Sequence, residues 1–114
     1  MTFRTTRIYQ KSLELVSESQ AVIDQLPRGC AYLADQLRRA ASSIVQNFAE
    51  GCGKSSHAER RRYFHTARAS AYEVASVFDT AKALRVITPE HHARGLDLSD
   101  HVAAMLTRFA HKNA

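Results

Sequence analysis

The sequence contains few of the residues that interrupt helices, with four glycines and two prolines among its 114 residues. Because the remainder is aliphatic and rich in alanine, this composition favours helices over strands. No apolar run is long enough to cross a bilayer, and the first residues lack the apolar segment of a secretion signal. We therefore expect one domain over residues 1–114, located in the cytoplasm and without a membrane partner.

Cysteine is also scarce, and the two that occur are Cys30 and Cys52. They stand at opposite ends of a predicted helix, so roughly 22 residues at about 1.5 Å each would separate them by about 33 Å. A disulfide requires Cα atoms about 6 Å apart. The sequence therefore predicts two free thiols.

Patterns that would indicate a metal or cofactor site are missing as well. No cysteine pair has the spacing of zinc ligands, and no two histidines lie four residues apart with a carboxylate partner. His91 and His92 are predicted to be solvated residues in the first turns of a helix. No glycine-rich phosphate loop follows a strand, because no strand is predicted. We therefore expect no cofactor. The six histidines are His57, His65, His91, His92, His101 and His111.

Apolar periodicity predicts two helices in the first half of the chain. The first covers about residues 5–25 and ends before Pro27, because proline disfavours helix in the residue that precedes it. The second covers about residues 31–50. Gly51 and Gly53 are predicted to supply its C-terminal stop.

Two more helices are predicted in the second half, each with a capping signal. The third begins after the N-cap Ser56 and reaches about residue 86. The fourth begins after the N-cap Thr88, with Pro89 at its first position. Short turns between long helices predict an all-α fold, an antiparallel up-down-up-down four-helix bundle.

The second predicted helix has an apolar face and, beside it, a polar stripe of amide, guanidinium, hydroxyl and carboxylate groups suited to specific hydrogen bonds. This stripe could form a binding or catalytic site. We favour a structural interpretation, in which its members satisfy one another or neighbouring backbone across a helix or subunit interface. The polar stripe consists of Gln36, Arg39, Ser43, Asn47 and Glu50.

Residues 36–51, which include this stripe, resemble the signature of a known family. Its members are small four-helix-bundle proteins encoded within intervening sequences of bacterial 23S ribosomal RNA genes, and a related group serves as the accessory protein of diversity-generating retroelements. The resemblance implies a ring-shaped homo-oligomer, a homopentamer, with a link to RNA, DNA or a reverse transcriptase. Further matching segments are residues 8–11, 13–16, 26–27, 53–56 and 67–70, with Glu59 and Glu73.

Positive charge is concentrated in one part of the chain. The formal net charge is +5, and residues 51–70 alone hold five Lys and Arg against Glu59, a local net charge of +4. Such a patch indicates an anionic partner; the alternative interpretation is a solvated helix face. His65 and Tyr72 share a helical spacing with two of these arginines and are predicted to face away from the core. The predicted nucleic-acid-binding residues are Lys54, Arg61, Arg62, Arg68 and Arg38.

These observations predict a non-enzymatic, oligomeric protein that binds RNA or DNA by neutralising phosphates, with little base-specific readout. One alternative is an oligomeric scaffold that binds protein, whose affinity would depend far less on salt. The other is a ribonuclease, because Arg60 and His65 have an Arg-x4-His spacing that resembles a motif of ribonucleases built on another helical bundle. Five positions along one helix turn two side chains about 140° apart, so these two would not converge on one phosphate.

Overall fold

Four helices make up almost the whole chain in the computed structural model, which describes residues 2–113. Met1 and Ala114, the ends of the predicted domain, lie outside the described residues. No strand occurs in residues 2–113, which confirms the predicted all-α class. The helices are α1 (Arg7–Ile23), α2 (Ala31–Cys52), α3 (His57–Ala83) and α4 (Pro89–Asn113), with short 3-10 turns at Phe3–Thr5 and Arg28–Cys30.

The helices pack in a closed ring, each against the next along the chain and α4 against α1. Because the connections are short, neighbouring helices run antiparallel, and the predicted up-down-up-down bundle is confirmed. The bundle is elongated, with extents of 43 × 21 × 20 Å. None of the helices within residues 2–113 combines the length and the apolar character that crossing a membrane requires.

The apolar faces read from the sequence meet along the bundle axis to form the core. Near the junction of α2 and α3, three aromatic rings pack together. The Phe48 ring centroid lies 5.8 Å from that of Phe64 and 5.3 Å from that of Phe109, and the last two are 5.2 Å apart. Phe48 and Phe64 are fully buried, so this cluster closes one end of the core. The other large, fully buried side chains include Leu15, Val22, Leu33, Leu37, Ile44, Val74, Phe78, Val102 and Leu106.

Side-chain caps set the starts of three helices. Thr6 accepts a hydrogen bond from the backbone N–H of Tyr9, so α1 begins at Arg7, two residues later than predicted. Ser56 accepts from the N–H of Glu59 at the start of α3, as predicted. The N-cap Thr88 is confirmed in the same way, since its hydroxyl accepts from the N–H of His91.

The end of α3 differs from the prediction of a helix to about residue 86. Arg85 adopts a left-handed conformation with φ of 61°. The N–H of Val86 then donates to the carbonyl of Ala81, and the N–H of Arg85 donates to the carbonyl of Lys82. This is the Schellman arrangement. It usually contains glycine, and because arginine occupies the position here, the end of α3 at Ala83 was not predictable from local sequence.

The prediction that Gly51 stops α2 is wrong. The helix continues through Gly51 to Cys52, and Gly53 is the C-cap with a right-handed φ of −85°. Gly51 is buried because α3 packs directly on it: a Cβ there would lie 2.6 Å from Cε1 of Phe64. Its lack of a side chain therefore permits close helix packing rather than a chain reversal.

The prediction that His91 and His92 are solvated is also wrong, because both bridge α4 to a neighbouring helix. His91 Nδ1 lies 2.6 Å from Oε2 of Glu18 in α1, and Arg94 Nε donates to the other oxygen of that carboxylate at 2.9 Å. His92 is buried and its Nε2 lies 2.9 Å from Oδ1 of Asp79 in α3. Each pairing joins two different helices, so the local pattern around either residue could not indicate it.

Candidate nucleic-acid interface

Antiparallel packing separates the charge of the chain into two halves. The starts of α1 and α3 and the ends of α2 and α4 lie at one end, so residues 2–15, 42–70 and 101–113 form what we call the basic half. It contains ten Lys and Arg and three Asp and Glu, a net charge of +7. The other half, residues 16–41 and 71–100, contains six and eight, a net charge of −2. The cations of the basic half are Arg4, Arg7, Lys11, Lys54, Arg60, Arg61, Arg62, Arg68, Arg108 and Lys112.

One group of cations lines a recess between α3 and α4, which we call the α3/α4 pocket. Its volume is about 540 Å³. Arg68 Nη1 donates to the hydroxyl of Thr107 at 3.1 Å, and that hydroxyl donates in turn to the carbonyl of Ala103 at 3.1 Å. The Arg68 guanidinium is thereby tied to α4. The lining residues are Arg61, His65, Arg68, Thr107, Ala110 and His111.

A second group lies on the opposite side of α3, toward α2. Arg62 and Tyr63 line a smaller cavity of about 210 Å³ together with Asn47 and Thr66. The ammonium of Lys54 lies 5.2 Å from the centroid of the Tyr63 ring, a cation–π contact that holds this lysine beside the cavity. The predicted binding residues of α3 are thus divided between two faces of the helix.

A third group comes from α1 and α4, and none of its members is among the predicted binding residues. Arg7, Arg108 and Lys112 rim a cleft of about 470 Å³. Its floor is apolar, formed in part by Ile8 and Met105. These cations are scattered at both ends of the chain, so no local charge run reveals them. In the predicted antiparallel bundle, however, the start of α1 and the end of α4 lie at the same end as residues 51–70, so the topology would have indicated this group.

Arg38 is the predicted binding residue that the structure does not bring together with the others. It lies in the half with net negative charge, about 14 residues or 21 Å along α2 from Cys52. Its Nη1 donates to Oδ1 of Asp35 at 3.2 Å, an exposed pair one helical turn away. Tyr72, predicted to face away from the core, is 59% exposed just past the middle of α3.

Comparison with known proteins identifies the family. A family model described as the 23S rRNA-intervening sequence protein matches residues 4–108. The chain belongs to that family. Comparison with individually curated proteins finds none that matches the chain. The predicted resemblance is therefore confirmed, and the matched region includes all four helices of this 23S rRNA-intervening sequence protein, α4 nearly to its end.

The polar stripe of this family member divides into a bonded part and an exposed part. Ser43 Oγ lies 2.8 Å from Ser70 Oγ of α3, and the Asn47 amide donates to both the carbonyl and the hydroxyl of Ser43 at 2.9 Å. The Ser43–Ser70 contact joins α2 to α3, and the two bonds of Asn47 lie within α2. Gln36, Arg39 and Glu50 are exposed, and within residues 2–113 their side chains form no hydrogen bond or ion pair. A role of the polar stripe at a subunit interface stays a prediction.

The geometry keeps Arg60 and His65 apart. Arg60 Nε is buried without a hydrogen-bond partner in the described part of the chain. Burial raises the pKa of the Cys52 thiol, and the positive charge of Arg60 opposes that rise, so this arginine is directed toward the end of α2. His65 instead lines the α3/α4 pocket. The two side chains do not share a cavity.

The sequence also made predictions about the cysteines and the possible metal ligands. Cys30 and Cys52 are both free, as predicted. Across residues 2–113, no three His, Cys, Asp or Glu side chains are grouped as a metal site would require. The arrangement of the basic half is suited to electrostatic contact with an extended anion, because its cations occupy three faces around one end of the bundle.

Proposed function

We propose that this member of the 23S rRNA-intervening sequence protein family is a non-enzymatic accessory protein that binds nucleic acid, with RNA as its preferred ligand. We place this activity in the cytoplasm of a bacterium. One observation carries the proposal: the basic half has a net charge of +7 and the other half −2. An uneven distribution of this kind concentrates a polyanion at one end of the molecule. The bound phosphates would release counterions, and this release drives binding with little dependence on sequence.

RNA is the preferred ligand because the family is described by its connection to 23S rRNA. Two tyrosine rings could add stacking to the electrostatic contacts. Tyr72 is 59% exposed, and Tyr63 lies beside Arg62 and Lys54. Stacking on tyrosine tolerates any base and favours unpaired nucleotides. A reverse transcriptase or another protein that handles nucleic acid would be a compatible further partner.

We further propose that the protein acts as a homo-oligomer, a homopentamer by its family resemblance. An apolar surface on α1 and α2 supports self-association: Leu13 is 40% exposed and, with Val16 and Val45, lines a shallow cavity of about 160 Å³. Assembly would repeat the basic half around one axis. Several weak contacts with one strand would then act together and raise the overall affinity without any new contact.

The test of nucleic-acid binding is a salt series. Affinities for structured RNA, single-stranded RNA and duplex DNA would be measured for the wild type and for Arg61→Ala/Arg62→Ala/Arg68→Ala. A matched variant, Arg28→Ala/Lys82→Ala/Arg85→Ala, removes the same charge from the other half. We expect binding that weakens steeply with salt and is lost in the first variant much more than in the second. Equal effects of the two variants would show that net charge alone matters and would overturn the assigned surface.

A second measurement separates the alternatives. Binding that changes little with salt, or no binding to any nucleic acid, would favour the protein-binding scaffold. The bound RNA would also be examined for cleavage, which we expect to be absent. Cleavage lost in His65→Ala while binding is kept would show a ribonuclease instead.

Self-association is tested by the mass of the protein in solution. We expect Leu13→Glu/Val45→Glu to lower that mass, because two carboxylates would be desolvated at the apolar surface. Glu73→Lys, an exposed change elsewhere on α3, serves as the control. An unchanged mass in the first variant would exclude this surface as the interface.

A further inference from the structure

The α3/α4 pocket differs from the rest of the basic half in being a lined recess. Arg61, His65 and Arg68 follow each other at helical spacing on α3, while Thr107 and His111 do so on α4. Its walls therefore present guanidinium, imidazole and hydroxyl groups, and no carboxylate is among its lining residues. Each imidazole provides an N–H donor in either protonation state, and each guanidinium provides several. A compact anion inside the pocket would meet donors from two helices.

One hydrogen bond orients the Arg68 guanidinium toward α4. The Thr107 hydroxyl accepts from Arg68 Nη1 and donates to the carbonyl of Ala103, so its proton is already committed to the backbone of α4. This contact uses one of the five N–H donors of Arg68 and leaves the other four available to a ligand. Buried Ala110 adds no bulk to the floor. A recess with one anchored guanidinium requires less ordering on binding than a flexible surface arginine would.

We infer that the α3/α4 pocket binds a phosphate monoester, the terminal phosphate of a nucleic-acid strand. A phosphate monoester carries a charge of about −1.5 to −2 at pH 7 and three free acceptor oxygens. An internal phosphodiester carries one charge and has a chain on both sides, so a recess admits a strand end more readily than a strand interior. The inference rests on the proposed function, because the rest of the strand would contact the other cations.

The placement of the remaining cations agrees with this arrangement. Arg62 and Lys54 lie on the α2 side of α3, across the helix from the pocket. A strand whose end enters the pocket therefore leaves the phosphates that follow it available to those side chains. General affinity and end preference would accordingly depend on different residues, which makes them separable by mutation.

The experiment compares one single-stranded RNA sequence carrying a 5′-phosphate, a 3′-phosphate or hydroxyls at both ends. We expect a phosphorylated strand to bind about tenfold more tightly than the hydroxyl strand, the effect of one additional charge-assisted hydrogen bond. Thr107→Val keeps the charge of the protein but removes the acceptor that holds Arg68, and it should reduce this ratio toward one. Arg62→Ala should weaken binding of both strands while keeping the ratio. Circular dichroism would confirm that both variants remain helical.

The outcomes distinguish the two proposals. If all three strands bind equally and with steep salt dependence, the terminal-phosphate inference is wrong and the proposed function stands. If no strand binds, the proposed function fails and the inference fails with it. Adenosine monophosphate and inorganic phosphate are added as competitors. Competition by either one as strong as that of the phosphorylated strand would identify a small phosphate compound as the ligand and overturn the assignment to a strand end.

Discussion

The aromatic ring of Phe64 in α3 fills the space that a side chain on Gly51 of α2 would need. A Cβ on Gly51 would lie 2.6 Å from Cε1 of Phe64 and 3.0 Å from Cβ of Tyr63. The Phe64 ring cannot yield easily, because it is fully buried against Phe48 and Phe109. The same relationship recurs between α4 and α3, where the Phe78 ring covers Gly95.

We predict that Gly51→Ala and Gly95→Ala each lower the free energy of unfolding by about 1–3 kcal/mol, the usual effect of overpacking a core. Helix propensity alone predicts the opposite, a gain of up to about 1 kcal/mol for replacing glycine by alanine. Gly29→Ala is the control, because nothing lies within 4 Å of a Cβ at that position. Chemical denaturation measures all three. Stabilisation by the first two variants would mean that the helices can move apart at no cost.

Arg85 offers a stabilising change. Its φ of 61° places a residue with a Cβ in the left-handed region, where an L-residue is disfavoured by about 1–2 kcal/mol. Glycine removes this strain but adds conformational freedom to the unfolded chain. We therefore expect Arg85→Gly to raise the free energy of unfolding by about 0.5–1 kcal/mol. Arg85→Ala removes the same charge and keeps the Cβ, so it should give no such gain; equal gains would assign the effect to charge.

Glu18 should make the free energy of unfolding depend on pH in the acid range. Burial by itself would raise the pKa of this carboxyl, but hydrogen bonds from His91 and Arg94 and their positive charges outweigh it, so the pKa lies below its ordinary value. As the pH falls, the unfolded chain is protonated at this group before the folded one. The stabilisation is thus fully present above the ordinary pKa of a glutamate and is lost as the pH falls through the lower, folded value.

Glu18→Gln tests this contribution. We expect it to reduce the free energy of unfolding at neutral pH by about 1–3 kcal/mol, as for a buried group that loses charge-assisted hydrogen bonds. It should also make stability less dependent on pH in the acid range. Glu73→Gln changes the same group at an exposed position and should do neither. Denaturation curves across the acid range measure both effects; an identical pH dependence in Glu18→Gln and the wild type would contradict the assignment.

The cations from α1 and α4 should matter for nucleic-acid binding as much as those of α3. We predict that Arg7→Ala/Arg108→Ala/Lys112→Ala weakens binding of single-stranded RNA. If all three contact phosphates, the slope of log affinity against log salt should fall in magnitude by about 2, since each contact adds about 0.7 on a single strand. Titrations at several salt concentrations provide the slope. A slope unchanged from that of the wild type would restrict the interface to α3 and the segment before it that contains Lys54.

Local sequence determined much of the secondary structure. Ser56 and Thr88 could be recognised as N-caps because a cap acts on N–H groups within three residues of itself. The apolar faces could be recognised because helical periodicity is a local property. The last residues of α1, α2 and α3 were less predictable. Arg85 shows why, since its left-handed conformation is held by surrounding structure and not by its own preference.

Contacts between helices could not be predicted from local sequence patterns. His91 is 73 residues from Glu18, and nothing near either residue marks the pairing at 2.6 Å. Gly51 resembled a helix stop because glycine is common there, whereas its role is to admit the Phe64 ring from the next helix. Both errors came from assigning a local cause to a residue whose environment is supplied by another element.

For the candidate interface, the sequence by itself determined that positive charge is concentrated in residues 51–70 and that Lys54, Arg61, Arg62 and Arg68 belong to that concentration. Tertiary structure decided how those residues are grouped. Arg61 and Arg62 diverge because they are consecutive on one helix, and packing places α4 beside the first and α2 beside the second. Antiparallel packing also adds cations from α1 and α4 and leaves Arg38 in the other half. The reason is physical: charge composition is fixed by the chain, but the field it produces depends on which helix ends meet.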